Sequence, residues 1–294
     1  MRKLENDGWK DFVRKTPPRR ERTYKDWSKR FQRRQNEVRK PQDRFKFQFT
    51  TPALLNLISD WHVGHSTTEY KRIEDEINAI TATANSFVIL AGDVIDNMNW
   101  NPGQFEQMEQ TPQQIGFARS VFKHMMDYGK LLHAIMGDHE GWLQKAGYDI
   151  YGEIRNQGIS VSTGPTYFEM LVGKQKYNVS GAHQLPGHSI YNKTHPQMRA
   201  ARFGSMHGSD VIFSGHNHQK GVSTSFTHEL GMPQEVTYIA LGPYKATDGW
   251  LAKKGWGSQK SLEMFGVALH LSMSEHAVET DLDIVRANER MRNG

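Results

Sequence analysis

Apolar and polar positions follow two regimes along the chain. From about Phe47 onward, short apolar runs recur at Leu54–Ser59, Phe87–Ala91 and Leu131–Met136, each of a length suited to a buried strand. Segments with helical spacing, about Thr67–Thr83 and Pro112–Tyr128, separate them. Further strand-like runs follow at Tyr167–Val172, Tyr177–Ser180, Val211–Phe213, Val236–Ala240 and Val267–Ser272, with a helix over His195–Met206. This alternation predicts a layered α/β domain with sheets inside and helices outside. No internal repeat is present.

The first 46 residues obey another pattern. Two helical stretches are parted by Pro17-Pro18, and the second runs from Thr23 to about Arg39 with Thr23 and Asp26 placed as a capping pair. Tyr24, Trp27 and Phe31 fall at i, i+3 and i+7, and Val38 continues the row. Lys25, Lys29, Arg30, Arg33 and Arg34 occupy the other face. Pro41–Lys46 reads as a linker, giving a basic helical arm over 1–46 and a main domain over 47–294.

Charge sharpens that division. Residues 1–47 hold 17 Lys and Arg against 7 Asp and Glu, net +10, while the remainder is net −5. Such an arm can meet nucleic acid phosphates, an anionic membrane or an acidic protein. The blander reading is that its aromatic stripe packs on the main domain while the basic face is solvated. With 37% hydrophobic and 23% charged residues, the composition excludes a collagen-like or wholly disordered chain. No apolar run is long enough to span a bilayer and the N-terminus has no apolar leader, so a cytoplasmic protein without membrane contact is expected. There are no cysteines, so a transition-metal site must draw on Asp, Glu, Asn or the 14 His.

The chemistry is concentrated in the residues just past the strands. Leu54–Ser59 ends in Asp60-Trp61-His62, and Phe87–Ala91 in Gly92-Asp93-Val94-Ile95-Asp96-Asn97. Leu131–Met136 ends in Gly137-Asp138-His139-Glu140, Tyr177–Ser180 in Gly181-Ala182-His183, and Val211–Phe213 in Ser214-Gly215-His216-Asn217-His218. Carboxyl ends of strands are where α/β sheets collect ligands. Residues two apart on a strand point the same way, which would aim Asp60 with His62, and His216 with His218, at one ion. Carboxylate and imidazole without thiolate suit Mn, Fe, Zn, Ni or Co. Seven candidate ligands exceed one ion's needs, whereas two ions about 3.5–4 Å apart sharing a carboxylate would use them all.

In this order the motifs resemble those of the calcineurin-like metallophosphoesterase superfamily: Asp-x-His, Gly-Asp-x-x-Asp-Arg, Gly-Asn-His-Asp/Glu, His, Gly-His-x-His. The resemblance runs from about Leu54 to His218 and implies a β-sandwich core flanked by helices. It implies that Asp60, His62 and His218 hold a first ion, that Asp138, His183 and His216 hold a second, and that Asp93 bridges them. Manganese is the first expectation for the two divalent ions. The resemblance further makes a metal-bridging hydroxide the nucleophile and His139 the group that protonates the leaving oxygen, with Asp96 orienting His139. Glu140 reads as structural. His188 and His195 compete with His183 for the fourth motif, and His65 is either a pocket-mouth residue or a surface histidine.

Two positions depart from the pattern. Asp138 stands where Asn is usual, adding negative charge beside the ions. Asn97 stands where an Arg often clamps a phosphomonoester dianion, which shifts the expectation toward phosphodiesters unless Arg199 or Arg202 reaches the site. A nuclease using the basic arm heads the expectations. A cyclic-nucleotide phosphodiesterase, a phosphoprotein phosphatase and a non-catalytic scaffold come after it. The segment Gly242–Trp256 reads as a substrate-binding loop or a plain surface connection.

Overall fold

A computed structural model describes residues 23–38, 43–97, 106–229, 232–246 and 263–293. The chain divides into two units, Met1–Pro41 and Gln42–Gly294. In the first, helix α1 (Tyr24–Val38) starts where the capping pair predicts. The Asp26 carboxylate accepts from the Thr23 amide at 2.9 Å and from its hydroxyl at 2.8 Å. Tyr24 and Phe31 are exposed, and Trp27 stacks on Phe31 with ring centroids 5.7 Å apart. The helical stretch expected before Pro17 lies outside the described residues.

The second unit is a sandwich of two six-stranded sheets. One contains β1 (Asp43–Phe49), β6 (Thr166–Val172), β7 (Gln175–Ala182), β8 (Val211–Ser214), β9 (Gly221–Glu229) and β10 (Met232–Ala240), in the order β1-β6-β7-β8-β10-β9. The other contains β2 (Ala53–Ile58), β3 (Ser86–Leu90), β4 (Leu131–Ile135), β5 (Ser160–Ser162), β11 (Val267–Leu271) and β12 (Val278–Asp281), in the order β12-β11-β2-β3-β4-β5. Strands β2 to β5 run parallel, as do β7, β8 and β10, and the five that the motifs follow, β2, β3, β4, β7 and β8, bring their carboxyl ends to one edge.

Strand β1 begins within the stretch that reads as a linker. Phe45, Phe47 and Phe49 alternate with exposed Arg44, Lys46 and Gln48, a period-two pattern that the preceding proline and charges obscure. Between the sheets, Leu55, Leu57, Ile89 and Ile135 meet Phe168, Val179, Phe213 and Ile239. On the outer face of the second sheet lie α2 (Tyr70–Ala82) and α3 (Thr111–Asp127), which bury Ile73, Ile77, Ala118 and Phe122 against Leu54, Val88 and Leu90. Two short helices, α4 (Asp138–Lys145) and α5 (Gly152–Asn156), follow β4. On the outer face of the first sheet, α6 (His195–Phe203) packs Ala200 and Ala201 on Ile212, Val236 and Tyr238. Helix α7 (Ile284–Asn293) ends the described chain. The result is four layers, helix, sheet, sheet, helix, as the alternation predicts. Among the described residues no helix is long and apolar enough to cross a membrane.

Candidate metal centre

The polar residues of the motifs sit just past the strand ends, and their backbone is unusual. Asp60, His62, Asp93, Asn97, His216 and His218 all have positive φ, between 42° and 67°. Left-handed geometry is disfavoured for residues with a Cβ, and Asp, Asn and His tolerate it better than most. Six such residues at one sheet edge mark a site whose side chains are aimed by strained turns. This corrects the strand argument for Asp60 with His62 and for His216 with His218: β2 stops at Ile58 and β8 at Ser214, so the turns, not strand alternation, set their direction.

Backbone and side-chain bonds hold these turns together. The Asp60 and His62 amides donate to the carbonyls of Gly92 at 2.9 Å and Asp93 at 3.0 Å. Glu140, buried under the site, accepts from the amides of Asp93 (3.0 Å), Val94 (2.7 Å), Ile95 (3.1 Å) and Gly137 (2.9 Å), and so pins two motif loops with one carboxylate. Gly137 has to be glycine, because a Cβ there would lie 2.2 Å from both the Asp93 amide nitrogen and its carboxylate. At Gly215 a Cβ would lie 2.4 Å from Asp60 Oδ2.

Two ligand groups, Asp60 with His62 and His218, and Asp93 with His183 and His216, are linked through a third, His62 with Asp93 and His139. In the first, His218 Nε2 is 3.3 Å from Asp60 Oδ1 and 3.0 Å from His62 Nε2. In the second, His183 Nε2 is 3.1 Å from Asp93 Oδ2, close in distance but misaligned for a hydrogen bond. His216 completes that group, with ligand atoms within 4.8 Å of one another. Asp138 stands at its margin, half exposed, with Oδ2 3.4 Å from His216 Nδ1. His139 Nε2 faces the same space, 3.8 Å from Asp93 Oδ2. His188 is exposed, which leaves His183 as the histidine that reaches Asp93. His65 is buried, and its Nδ1 accepts from the Thr67 amide at 3.2 Å, so it is not a surface histidine.

Burial and charge tune the groups. Burial alone would raise Asp60 and Asp93, but His218 beside Asp60, and His139 and His183 beside Asp93, hold both carboxyls below their usual range. His62 is driven well down by burial and then by the Lys245 ammonium, leaving a neutral imidazole suited to a cation. Burial and then His183 also lower His216. Tautomers are set from outside: His183 Nδ1 donates to the Ala91 carbonyl at 2.7 Å, which turns Nε2 toward Asp93.

Asp96 acts on two histidines by different atoms. Its backbone carbonyl accepts a short bond from His139 Nδ1, whereas its carboxylate takes His62 Nδ1 at 3.1 Å. Asp96 Oδ1 also lies 3.5 Å from the buried Lys245 Nζ, and Oδ2 is buried without a hydrogen-bond partner. The expected carboxylate contact to His139 is therefore made by the main chain instead, because the turn points the side chain at His62. Sequence reasoning passed over Lys245 as an individual residue. It lies in the Gly242–Trp256 stretch, and a lone lysine in a loop has no spacing signal. Asn97, at the position of the family's arginine, turns inward, donating to the His139 carbonyl at 3.2 Å. Arg199 and Arg202 do not supply the missing charge here: they line a groove that contains none of the candidate ligands.

Facing imidazole nitrogens 3.0 Å apart and a carboxylate and imidazole in contact without hydrogen-bond alignment fit ligands aimed at cations between them. Asp60, His62, His218 and Asp93 would hold one ion, and Asp93, His183, His216 and Asp138 the other.

A family model for calcineurin-like phosphoesterases matches residues 55–220. No curated protein matches the chain by sequence. Similar solved structures include Vps29 of Chaetomium thermophilum, at 10% identity over 78% of this chain and 96% of that one, with a TM-score of 0.36. The calcineurin-like phosphoesterase YfkN of Bacillus subtilis shows 15% identity over 83% and 97%, with a TM-score of 0.35. A metallophosphoesterase of Sphaerobacter thermophilus shows 11% identity over 83% and 93%, with a TM-score of 0.36. The matched segment takes in all the strand-end motifs and more than half of the 294 residues: the chain belongs to the calcineurin-like phosphoesterase family.

Proposed function

We propose that this chain is a manganese-dependent phosphodiesterase that cleaves nucleic acid. One observation carries the choice of substrate: an arm of net +10, with exposed aromatic rings on its helix, is joined to a family site that lacks the arginine of its motif. A diester carries one negative charge per phosphate and needs less neutralisation than a monoester dianion, so a turned-in Asn97 suits it. Basic side chains beside aromatic rings are the usual means of gripping a phosphate backbone and its bases.

When bound, two divalent cations supply Lewis-acid charge and an activated water. The chain's residues do the rest. Asp93 and its imidazole neighbours fix the ligand geometry. His139 donates its Nδ1–H to the Asp96 carbonyl, so Nε2 faces the site, and when the ring is an imidazolium the Nε2 proton is available to the leaving oxygen. Trp142, its ring centroid 4.4 Å from that of His139, limits the swing of the imidazole.

The test is a manganese-supplemented panel of single- and double-stranded DNA, an aryl diester, an aryl monoester and cyclic nucleotides. It compares the parent with a Lys29→Glu, Arg30→Glu, Arg33→Glu variant. DNA cleavage should fall at least tenfold in the variant and aryl diester turnover should hold. Faster turnover of cyclic nucleotides or monoesters than of DNA, or DNA cleavage indifferent to charge reversal, would move the protein to another phosphoesterase class.

A further inference from the structure

Away from the metal centre, a groove of about 890 Å³ lies between α6 and β9 on the outer face of the first sheet. Helix α6 covers β7, β8 and β10 but leaves β9 bare, so the space beside it stays open. Arg199, Arg202, His195 and His207 line the groove, and among the described residues no carboxylate does. Neither guanidinium has an acidic partner among the described residues. Two phenyl rings, Phe203 at 76% and Phe226 at 68% exposure, border the same groove, and the Arg202 guanidinium sits 5.2 Å above the Phe203 ring. Exposed large apolar side chains grouped around a cavity mark a binding surface.

We infer that this groove binds a single strand of nucleic acid, with Phe203 and Phe226 stacking on unpaired bases and Arg199 and Arg202 holding the intervening phosphates. The inference rests on the nuclease reading for its biological sense and names single strands as the substrate form. The chemistry favours this occupant because charge and rings are both accounted for. Unpaired cations without a lining carboxylate select a polyanion, and exposed aromatic faces are sequence-tolerant platforms for bases that are not already stacked in a duplex. Position agrees. The loop of residues 184–194 starts beside His183 and ends at α6, and a Cβ on its Gly187 would lie 3.2 Å from the His195 ring and 3.4 Å from Arg199 Cδ. One short loop therefore joins the candidate metal ligand to the rim of the groove.

The experiment uses the full chain with EDTA, so that binding is read without cleavage. Anisotropy of a fluorescein-labelled fifteen-nucleotide oligo-dT is measured across a salt series for the parent, for Arg199→Glu with Arg202→Glu, and for Phe203→Ala with Phe226→Ala. All four side chains lie outside the metal centre, and aryl diester turnover with manganese checks that each variant is folded. The arginine variant should bind at least tenfold more weakly, with a salt slope shallower by about 1.4 for two lost phosphate contacts. The phenylalanine variant should lose at least tenfold while keeping the parent slope, because stacking does not release counterions. Photocrosslinks from iododeoxyuridine should map to Phe203 or Phe226.

Parent-like binding by both variants, or crosslinks confined to α1, would overturn the groove assignment. So would a duplex that binds as tightly and is as sensitive to the variants, or a polyglutamate peptide that displaces oligo-dT at lower concentration. The two readings fail separately. A parent that binds through the groove but never cleaves with manganese loses the nuclease reading and keeps the groove; a parent that cleaves although groove variants bind normally does the reverse.

Discussion

His133 and His183 are both buried imidazoles, one within a strand of the second sheet and one just past a strand of the first, and their surroundings drive them in opposite directions. His133 sits within β4 among Phe45 and Phe168, with Ser160 and Ser162 hydroxyls 2.7 and 2.8 Å from its two nitrogens. Burial pushes it down to about 3, so it is neutral across the physiological range. His183 stands just past β7. Burial would lower it too, but the Asp93 carboxylate, helped by Asp60 and the Ala91 carbonyl, outweighs burial and pushes it up to about 10. The interior thus keeps His133 neutral, whereas at the carboxyl edge a carboxylate in contact keeps His183 charged. An edge built that way is ready to exchange a proton for a cation.

The largest break in this contrast comes from Asp93→Asn. With its main anionic neighbour gone, His183 should titrate below 6.5 in the metal-free protein in place of about 10, a change readable by NMR of the imidazole. In the parent, the favourable contribution of the raised His183 is present in full below about 6.5 and is lost as pH rises through about 10. Metal uptake has to displace the same proton, so it should strengthen with pH over that window. Elemental analysis should find both ions lost in Asp93→Asn and phosphoesterase activity reduced to background. Two ions retained would mean that Asp93 is not shared.

His139→Gln separates the ligands from the proton donor. Metal content should stay near normal while turnover falls by about 10²–10⁴, and the loss should shrink for aryl esters whose leaving groups need no proton. Loss of one ion would make His139 a ligand, as its place beside Asp93 and His62 also permits.

Lys245→Met probes the support behind His62. The ammonium faces Asp96, and Asp96 accepts from His62 Nδ1, so removing the charge should weaken one metal site by about ten- to a hundredfold. Lys245→Arg should restore most of it. Isothermal titration with manganese distinguishes this from simple damage, because damage would not be rescued by another cation.

The same contrast explains how much was legible in the sequence. Strands β2, β3, β4, β7 and β8 stand out as short runs, each followed by polar metal-competent residues, so the seven ligand candidates could be named before any geometry was known. Strands β9 and β12 could not be seen that way. β9 is an edge strand held by backbone pairing to β10, with only Val222 and Phe226 apolar among its nine residues, so there is little apolar signal to read. The left-handed turns were equally hidden, since nothing in Asp-x-His distinguishes a strand pair from a pair set by positive φ. The direction of the Asp96 carboxylate and the approach of Lys245 depend on segments far apart in sequence. Spacing says nothing about such contacts.

The smallest expected effect tests the interior half of the comparison. His133 binds a proton when the chain unfolds below pH 6.5 but not when folded until about pH 3. Its depressed value therefore makes stability rise with pH between those limits and level off above 6.5. At pH 5 the group should cost about 2 kcal/mol relative to neutral pH, since each unit of difference is worth about 1.4 kcal/mol. His133→Gln keeps polar atoms that can reach Ser160 and Ser162 but cannot titrate. The variant should be somewhat less stable at pH 7.5 for reasons of packing, yet it should lose about 2 kcal/mol less than the parent on going to pH 5. Urea unfolding of both metal-free proteins at the two pH values gives that difference of differences, in which the histidines of the metal centre cancel. An acid loss equal in parent and variant would mean that His133 is protonated in the fold, and the interior would then hold charge much as the edge does.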